Sequence, residues 1–310
     1  MLRQSDLVGF QLPGMSERLI TTLFADDTTV YLAQQDDYAR LQHILASWCL
    51  AAGAKFNLNK TEIIPIGTTD YRSQVAHTRR LNALSDILPP DVHVVPDGLP
   101  VRVLGVWIGN AIDQLVPWTA LLKKMQLRLQ EWDRQGTTII SRVAIVNMEV
   151  GGRIQYLAKV QGVPPPVITA IKKIIQNFIW RDKRTPPINL DTLCLPPQEG
   201  GLGLLDIATR INAITLTWLK PFLDLSPTRP TWAYAADSLL ALHAKKQGPT
   251  LDNSVKLNVF LQNWSVSTAA ASPLPHYLKD MILLAKRAGV NFNAIKLGPS
   301  LKRKMPLWLH

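Results

Sequence analysis

The chain has 310 residues, of which 34 are Lys or Arg and 23 are Asp or Glu, so its formal charge at neutral pH is +11. A hydrophobic fraction of 47% with 18% charged residues is typical of a globular protein and excludes a largely disordered or collagen-like chain. The length predicts roughly two domains. The positive charge favours an anionic partner, most commonly nucleic acid, and leaves membrane surfaces and acidic proteins open as alternatives.

Cysteines and apolar segments limit the class of protein further. Two cysteines far apart in sequence, Cys49 and Cys194, provide neither a disulfide framework nor a four-thiolate zinc site. The first 14 residues lack the apolar core of a signal peptide, and no apolar stretch approaches the roughly 18 residues that cross a bilayer. We therefore expect an intracellular protein, nuclear or cytoplasmic and not secreted, without a membrane partner.

The first hundred or so residues combine short strands with one clear helix. Residues 18–32, RLITTLFADDTTVYL, place β-branched and aromatic residues on both sides of an Asp-Asp pair, which predicts a β-hairpin. Residues 36–50 carry apolar side chains at helical spacing, and Gly53 follows where a helix would end. A strand is predicted at residues 62–66 and another in the run VRVLGVWIG, residues 101–109.

Beyond residue 117 the hydrophobic spacing becomes helical. Helices are predicted from residue 118, over residues 138–156, from the prolines at 164–166 onward, and over residues 212–222. Two or three further helices are expected in the tail. The sequence thus predicts an α+β fold with divisions at residues 1–116, 117–225 and 226–310.

The sharpest chemical feature is the pair Asp26 and Asp27, because two carboxylates between hydrophobic strands require water, a cation or a turn. A solvated hairpin tip would accommodate them without any function. The alternative is a Mg²⁺ site, since Mg²⁺ prefers carboxylate oxygens and in turn binds phosphate oxygens. Adjacent strand residues point to opposite faces, so we expect Asp26 to be the first ligand.

Several motifs together resemble a known enzyme family. Residues 24–27, FADD, match the [FY]-A-D-D signature of reverse transcriptases, and the succession of FADDTTVYL, a helix, GAKFNLNKTEIIPIG and VRVLGVWIG resembles non-LTR (LINE-type) retrotransposon enzymes. Downstream, FIWRDKR is similar to that family's F-x-W-x-x-K/R element, and LCLPPQEGGLGLLDI closely resembles its L-C-x-P-x-x-x-G-G-L-G-L-x-D-L stretch. The resemblance covers about residues 5–222.

This resemblance implies a truncated reverse-transcriptase palm of short antiparallel strands and a helix over residues 1–116, a mostly helical thumb-like region over 117–225, and a helical extension of unknown role over 226–310. It implies that Asp26 and Asp27 are catalytic Mg²⁺ ligands, that Lys60 assists the pyrophosphate leaving group, and that Leu104 and Gly105 form the primer grip. The implied partners are an RNA template, a DNA primer and an upstream polymerase half. The family's other metal-binding Asp, on an earlier strand, is not visible, so we expect little or no polymerase activity from these 310 residues alone.

Basic residues of the helical region are candidates for phosphate contacts along a thumb, although solvated helix faces would carry the same residues. They are Lys123, Lys124, Arg128, Arg142, Lys172, Lys173, Arg181, Lys183 and Arg184. Two alternatives to a reverse-transcriptase fragment stay open at this point. In the first, the chain is a non-catalytic, basic nucleic-acid-binding remnant. In the second, it is a degenerate reading frame without a stable fold.

Overall fold

A computed structural model describes residues 1–181, 185–226, 228–245, 255–290 and 303. The fold is mixed, about 50% helix and 8% strand, so helices provide most of the regular structure, as the α+β prediction requires. The chain forms two compact units. The first contains Met1–Ile112 and Pro230–Leu242, and the second contains the described residues of Asp113–Arg229 and those from His243 onward. The three divisions drawn from the sequence stay predictions.

The elements are short in the first hundred residues and long after them. The strands are β1 Thr21–Phe24, β2 Asp27–Val30, β3 Glu62–Ile63, β4 His93–Val94, β5 Val101–Val103 and β6 Val106–Ile108. The helices are α1 Tyr38–Ala52, α2 Thr69–Thr78, α3 Val116–Asp133, α4 Ile139–Gln161, α5 Pro165–Trp180, α6 Leu190–Cys194, α7 Ile207–Phe222, α8 Thr231–Leu242 and α9 His276–Arg287.

The strands pair two by two. β1 and β2 form an antiparallel hairpin, which confirms the prediction for residues 18–32, and β5 and β6 form a second. The prediction of one strand over VRVLGVWIG is therefore wrong: Leu104 and Gly105, both with positive φ, turn the chain back on itself. The expected short antiparallel strands form these two pairs, whereas β3 and β4 run parallel.

Helix α1 anchors the core of the first unit. The Asp37 side chain accepts a hydrogen bond from the backbone N–H of Ala39, which caps the first turn, and Gly53 ends the helix with a left-handed φ of 62°. The buried face of α1 packs with residues that flank the strand pairs. This core consists of Leu7, Ile20, Tyr38, Leu41, Ile44, Val75, Leu81, Leu88, Val92 and Val94.

The second unit is built on helices. Thr138 caps α4 by accepting a hydrogen bond from the Ser141 N–H, and the proline run predisposes α5 to begin at Pro165. Helix α4 lies against α3, α5 and α7, while α9 packs on α7. Side chains of α3, α4, α5 and α7 share one large core, centred on residues such as Trp118, Ile154 and Ile171 that have no exposed surface. No helix in the described ranges combines the length and apolar character needed to cross a membrane.

Candidate active site and nucleic-acid interface

The Asp-Asp pair lies at the tip of the first hairpin. Thr21 pairs with Val30 at its base and Phe24 with Asp27 at its end, so Ala25 and Asp26 form a two-residue turn. Ala25 has a φ of 52°, a left-handed conformation that costs about 1–2 kcal/mol for a residue with a side chain. The turn thus presents Asp26 at the tip, with Asp27 as the first residue of β2.

Both carboxylates face solvent. Asp26 and Asp27 are exposed, and within the described part of the chain neither side chain forms a hydrogen bond or an ion pair. The flanking Leu23 and Phe24 are also exposed, at 64% and 65%, so the whole tip stands away from the core. A hairpin tip of this kind offers free carboxylate oxygens that are not neutralised by a protein cation.

The carboxylate oxygens at the tip are ligands of the type that a hard cation prefers. Mg²⁺ is commonly held by one or two carboxylates together with water and substrate phosphates, and Asp26 and Asp27 supply such oxygens. Within the residues that the structure describes, no group of three or more His, Cys, Asp or Glu side chains is placed to hold a metal ion. On its own, the pair would supply at most part of a coordination shell.

The base of the hairpin is fixed by Asp36, a residue that sequence analysis placed only at a helix start. Its carboxylate is 4% exposed and accepts hydrogen bonds from the N–H groups of Val8 (2.6 Å), Gly9 (2.9 Å) and Ala33 (2.8 Å). Val8 and Gly9 precede the hairpin and Ala33 follows it, so one buried carboxylate ties both ends of the hairpin together. The only sequence signal for this role was an acid beside the N-cap of α1.

Lys60 and the Leu104–Gly105 turn belong to the same unit as the hairpin but to other elements. Lys60 ends a short 3₁₀ turn, Leu58–Lys60, that leads into β3; its side chain is exposed and makes no ion pair in the described ranges. Leu104 and Gly105, with φ of 50° and 81°, form the tip of the β5–β6 hairpin. Lys60 forms no hydrogen bond to Asp26 or Asp27 in the described part of the chain.

Most of the predicted phosphate-binding residues are exposed on the second unit. Lys123, Lys124 and Arg128 lie on α3, and Lys173 and the half-buried Lys172 lie on α5. The Arg128 guanidinium donates to Glu131 at 2.6 Å, which reduces its availability to phosphate. Arg181 follows α5 and donates to the Thr137 carbonyl. Two further candidates, Lys183 and Arg184, lie outside the described residues.

Arg142 is placed differently from the other basic candidates. It is 2% exposed, and its guanidinium lies 4.8 Å from the centre of the Phe178 ring. It donates to the carbonyls of Thr137 and Phe178 and to the carboxylate of Asp133. These contacts join the ends of α3 and α5 to the start of α4, so Arg142 is not part of a phosphate-binding surface here.

Charge is divided unequally along the chain. Residues 1–112 contain nine Lys or Arg and eleven Asp or Glu, which gives a formal charge of −2. Residues 113–310 contain 25 Lys or Arg and 12 Asp or Glu, which gives a formal charge of +13. The positive excess therefore belongs wholly to the part of the sequence that follows the hairpin-bearing segment. An anionic polymer would be attracted to the helical unit first.

The glycine-rich stretch after α6 forms a tight loop. A Cβ at Gly201 would lie 1.9 Å from the Leu195 carbonyl oxygen, so only glycine fits there. Leu202 and Leu204 both donate backbone hydrogen bonds to the Leu193 carbonyl, and the Asn147 side chain on α4 accepts one from the Leu205 N–H. The stretch is explained by packing of the loop against α4.

Comparison with known proteins gives no match: neither a protein-family model nor a curated protein sequence matches this chain.

Proposed function

We propose that the chain is part of a reverse-transcriptase-type nucleotidyltransferase of the non-LTR retrotransposon kind. The observation that carries the proposal is the pair of exposed, unpaired carboxylates of Asp26 and Asp27 on a tight two-residue hairpin. The hairpin is followed in order by α1, the Lys60 turn and the Leu104–Gly105 hairpin, the same order as in the resembling family. Packing does not require carboxylates at this tip, and because no protein cation pairs with them in the described residues, both are available to bind an ion.

In this proposal Asp26, with Asp27 beside it, would hold Mg²⁺, which when bound supplies charge stabilisation for the attacking and leaving oxygens of a phosphoryl transfer. The exposed Lys60 ammonium would give a proton to the departing pyrophosphate. The Leu104–Gly105 turn would lie near the primer strand, where the absent side chain of Gly105 permits a close approach. The reaction would join a primer 3′-hydroxyl to a deoxynucleotide opposite an RNA template.

A complete site of this type needs at least one more carboxylate than the hairpin supplies. We propose that an upstream polymerase half provides it and that these 310 residues alone extend primers poorly. Mg²⁺ would then bind weakly to the isolated chain, which makes metal affinity a direct probe of the hairpin.

Mn²⁺, a spectroscopic substitute for Mg²⁺, tests the role of the hairpin in the chain as it exists. We expect Asp26→Asn to lower Mn²⁺ affinity in an electron paramagnetic resonance titration by at least about tenfold. Asp70→Asn is the matched control, because Asp70 is an equally exposed acid in the first turn of α2. Equal affinities of the wild type and the Asp26→Asn variant would remove the metal role from the hairpin.

The division of charge supports a second candidate function, a non-catalytic nucleic-acid-binding protein. The charge of +13 after residue 112 and the exposed Lys123, Lys124 and Lys173 supply a sequence-independent attraction for phosphates. In filter-binding assays, the affinity for duplex DNA should fall steeply as the salt concentration rises. Replacing Lys123 and Lys124 by Gln should reduce the slope of log affinity against log salt concentration by about 2. Replacing the exposed Arg3 by Gln is the control in the hairpin unit. No binding at low salt would exclude this function.

A further inference from the structure

A cleft in the first unit is lined by residues that have no role in the proposed function. It has a volume of about 490 Å³, within the range of roughly 300–1,000 Å³ typical of small-molecule sites. Its walls are formed by Lys55, Phe56, Asn57, Leu58, Asn59 and Asp91. The concavity combines an aromatic ring, two amides, one ammonium group and one carboxylate.

The parallel strand pair explains why these residues meet. Because β3 and β4 run parallel, the segments that precede them lie at the same end of the pair. The Leu58–Lys60 turn precedes β3, and Asp91 lies two residues before β4. The His93 N–H donates to the Thr61 carbonyl at 3.3 Å, which joins the two segments at this end.

The aromatic side of the cleft has a supporting ring. The centres of the Trp48 and Phe56 rings are 5.5 Å apart with an interplanar angle of 43°, so the indole on α1 backs the phenyl group. Trp48 is 43% exposed and Phe56 is half-buried. An aromatic surface that is fixed on one side and open on the other is suited to stacking against a planar ring.

The polar groups of the cleft are available to a ligand. Within the described part of the chain, the side chains of Lys55, Asn57, Asn59 and Asp91 are exposed and form no hydrogen bond or ion pair with protein. The Asn57 backbone carbonyl is held instead, since it accepts hydrogen bonds from the Lys60 N–H and the Thr61 hydroxyl, both at 3.1 Å. The backbone of the turn is thus fixed, while the amide side chains of Asn57 and Asn59 form no hydrogen bond within the described residues.

We propose that this cleft binds a nucleotide, with its base stacked on Phe56 and its phosphate on Lys55. An Asn amide matches the donor and acceptor pair on the edge of adenine, and the ammonium group attracts phosphate. The Asp91 carboxylate accepts hydrogen bonds from an exocyclic amine or a ribose hydroxyl. The nucleotide is either free or the unpaired end of a single strand, since both present the same base and phosphate.

Titrations of the full chain by saturation-transfer NMR with AMP test the assignment. We expect saturable AMP binding, with adenosine and ribose 5-phosphate each weaker by at least about tenfold, because each lacks one of the two groups that the cleft recognises. Phe56→Ala should weaken AMP binding by about tenfold, and Lys55→Gln should bring AMP down to the affinity of adenosine. Leu50→Ala is the control, because Leu50 is 89% exposed on α1 and does not line the cleft.

The variants separate the outcomes. Absence of saturable AMP binding by the folded wild type would overturn the proposal, as would equal AMP affinity in the wild type and in Lys55→Gln, an exposed substitution that leaves the core intact. If Phe56→Ala weakens the binding of a short oligo(dA), the ligand of the cleft is the unpaired end of a strand. If a short oligo(dA) binds the wild type and Phe56→Ala equally, the ligand is the free nucleotide. Substitutions at Asp26 or Lys123 should leave AMP binding unchanged, so failure of the polymerase or duplex-binding proposal is distinguishable from failure of this one.

Discussion

Removal of the Arg142 guanidinium should destabilise the helical unit strongly. In Arg142→Ala the carbonyls of Thr137 and Phe178 lose a charged donor and the Asp133 carboxylate loses its partner. Removing one partner of a buried ion pair costs about 3–5 kcal/mol of stability. Because the Asp133 side chain is 46% exposed and regains contact with water, we expect Arg142→Ala to lower the free energy of unfolding by about 3 kcal/mol. For a unit of this size that free energy corresponds to a fall in melting temperature of about 6–12 °C.

Circular dichroism melts of three variants test this reasoning. Arg142→Lys keeps the positive charge but cannot reach three acceptors, so it should lose most of the same stability. Arg134→Ala, at an exposed arginine beside the same helix end, should change the melting temperature by about 1 °C or less. A wild-type melting temperature in Arg142→Ala, accompanied by weaker nucleic-acid binding, would refute the structural role and restore the phosphate contact predicted from the sequence.

Four further substitutions have expected outcomes. Ala25→Gly should raise the urea midpoint, because relief of the positive φ contributes up to about 1 kcal/mol; an unchanged or lower midpoint would contradict the turn geometry. Burial raises the pKa of the Glu149 carboxyl, but hydrogen bonds and neighbouring arginine charges outweigh it and hold the pKa below the ordinary 4.5. Glu149→Gln should therefore cost about 2 kcal/mol at pH 7, and the difference from wild type should narrow as the pH falls below 4.5 and through the lowered pKa; a difference that stays constant as the pH falls would contradict this. Gly201→Ala should destabilise by about 2 kcal/mol or more because its Cβ meets the Leu195 carbonyl, whereas Gly152→Ala, in an open helical position, should stabilise by about 1 kcal/mol in the same urea titration.

Local patterns were enough to predict the FADD hairpin and the main helices. Alternation around Asp26 and the helical spacing after residue 117 are properties of neighbouring residues, so they can be read without tertiary information. The end of α1 at Gly53 was likewise predicted, because glycine takes the left-handed conformation of a helix end most readily.

Features that depend on distant partners were not predicted. The buried role of Arg142 depends on acceptors from α3 and α5, and on a helical pattern it is indistinguishable from the exposed Lys123. Asp36 acquires its role from Val8 and Gly9, 27–28 residues earlier in the chain. The run VRVLGVWIG reads as one strand because Leu104 is an unusual residue for a left-handed turn position.

Primer extension by the chain combined with the proposed upstream polymerase half tests the central claim most directly. The assay uses an RNA template, a DNA primer and Mg²⁺, with wild type, Asp26→Ala and the exposed-acid control Asp70→Ala compared at equal protein concentration. We predict extension by the wild type and the control, and loss of extension in Asp26→Ala. Extension by Asp26→Ala at the wild-type rate would contradict the assignment of the hairpin as a catalytic metal site.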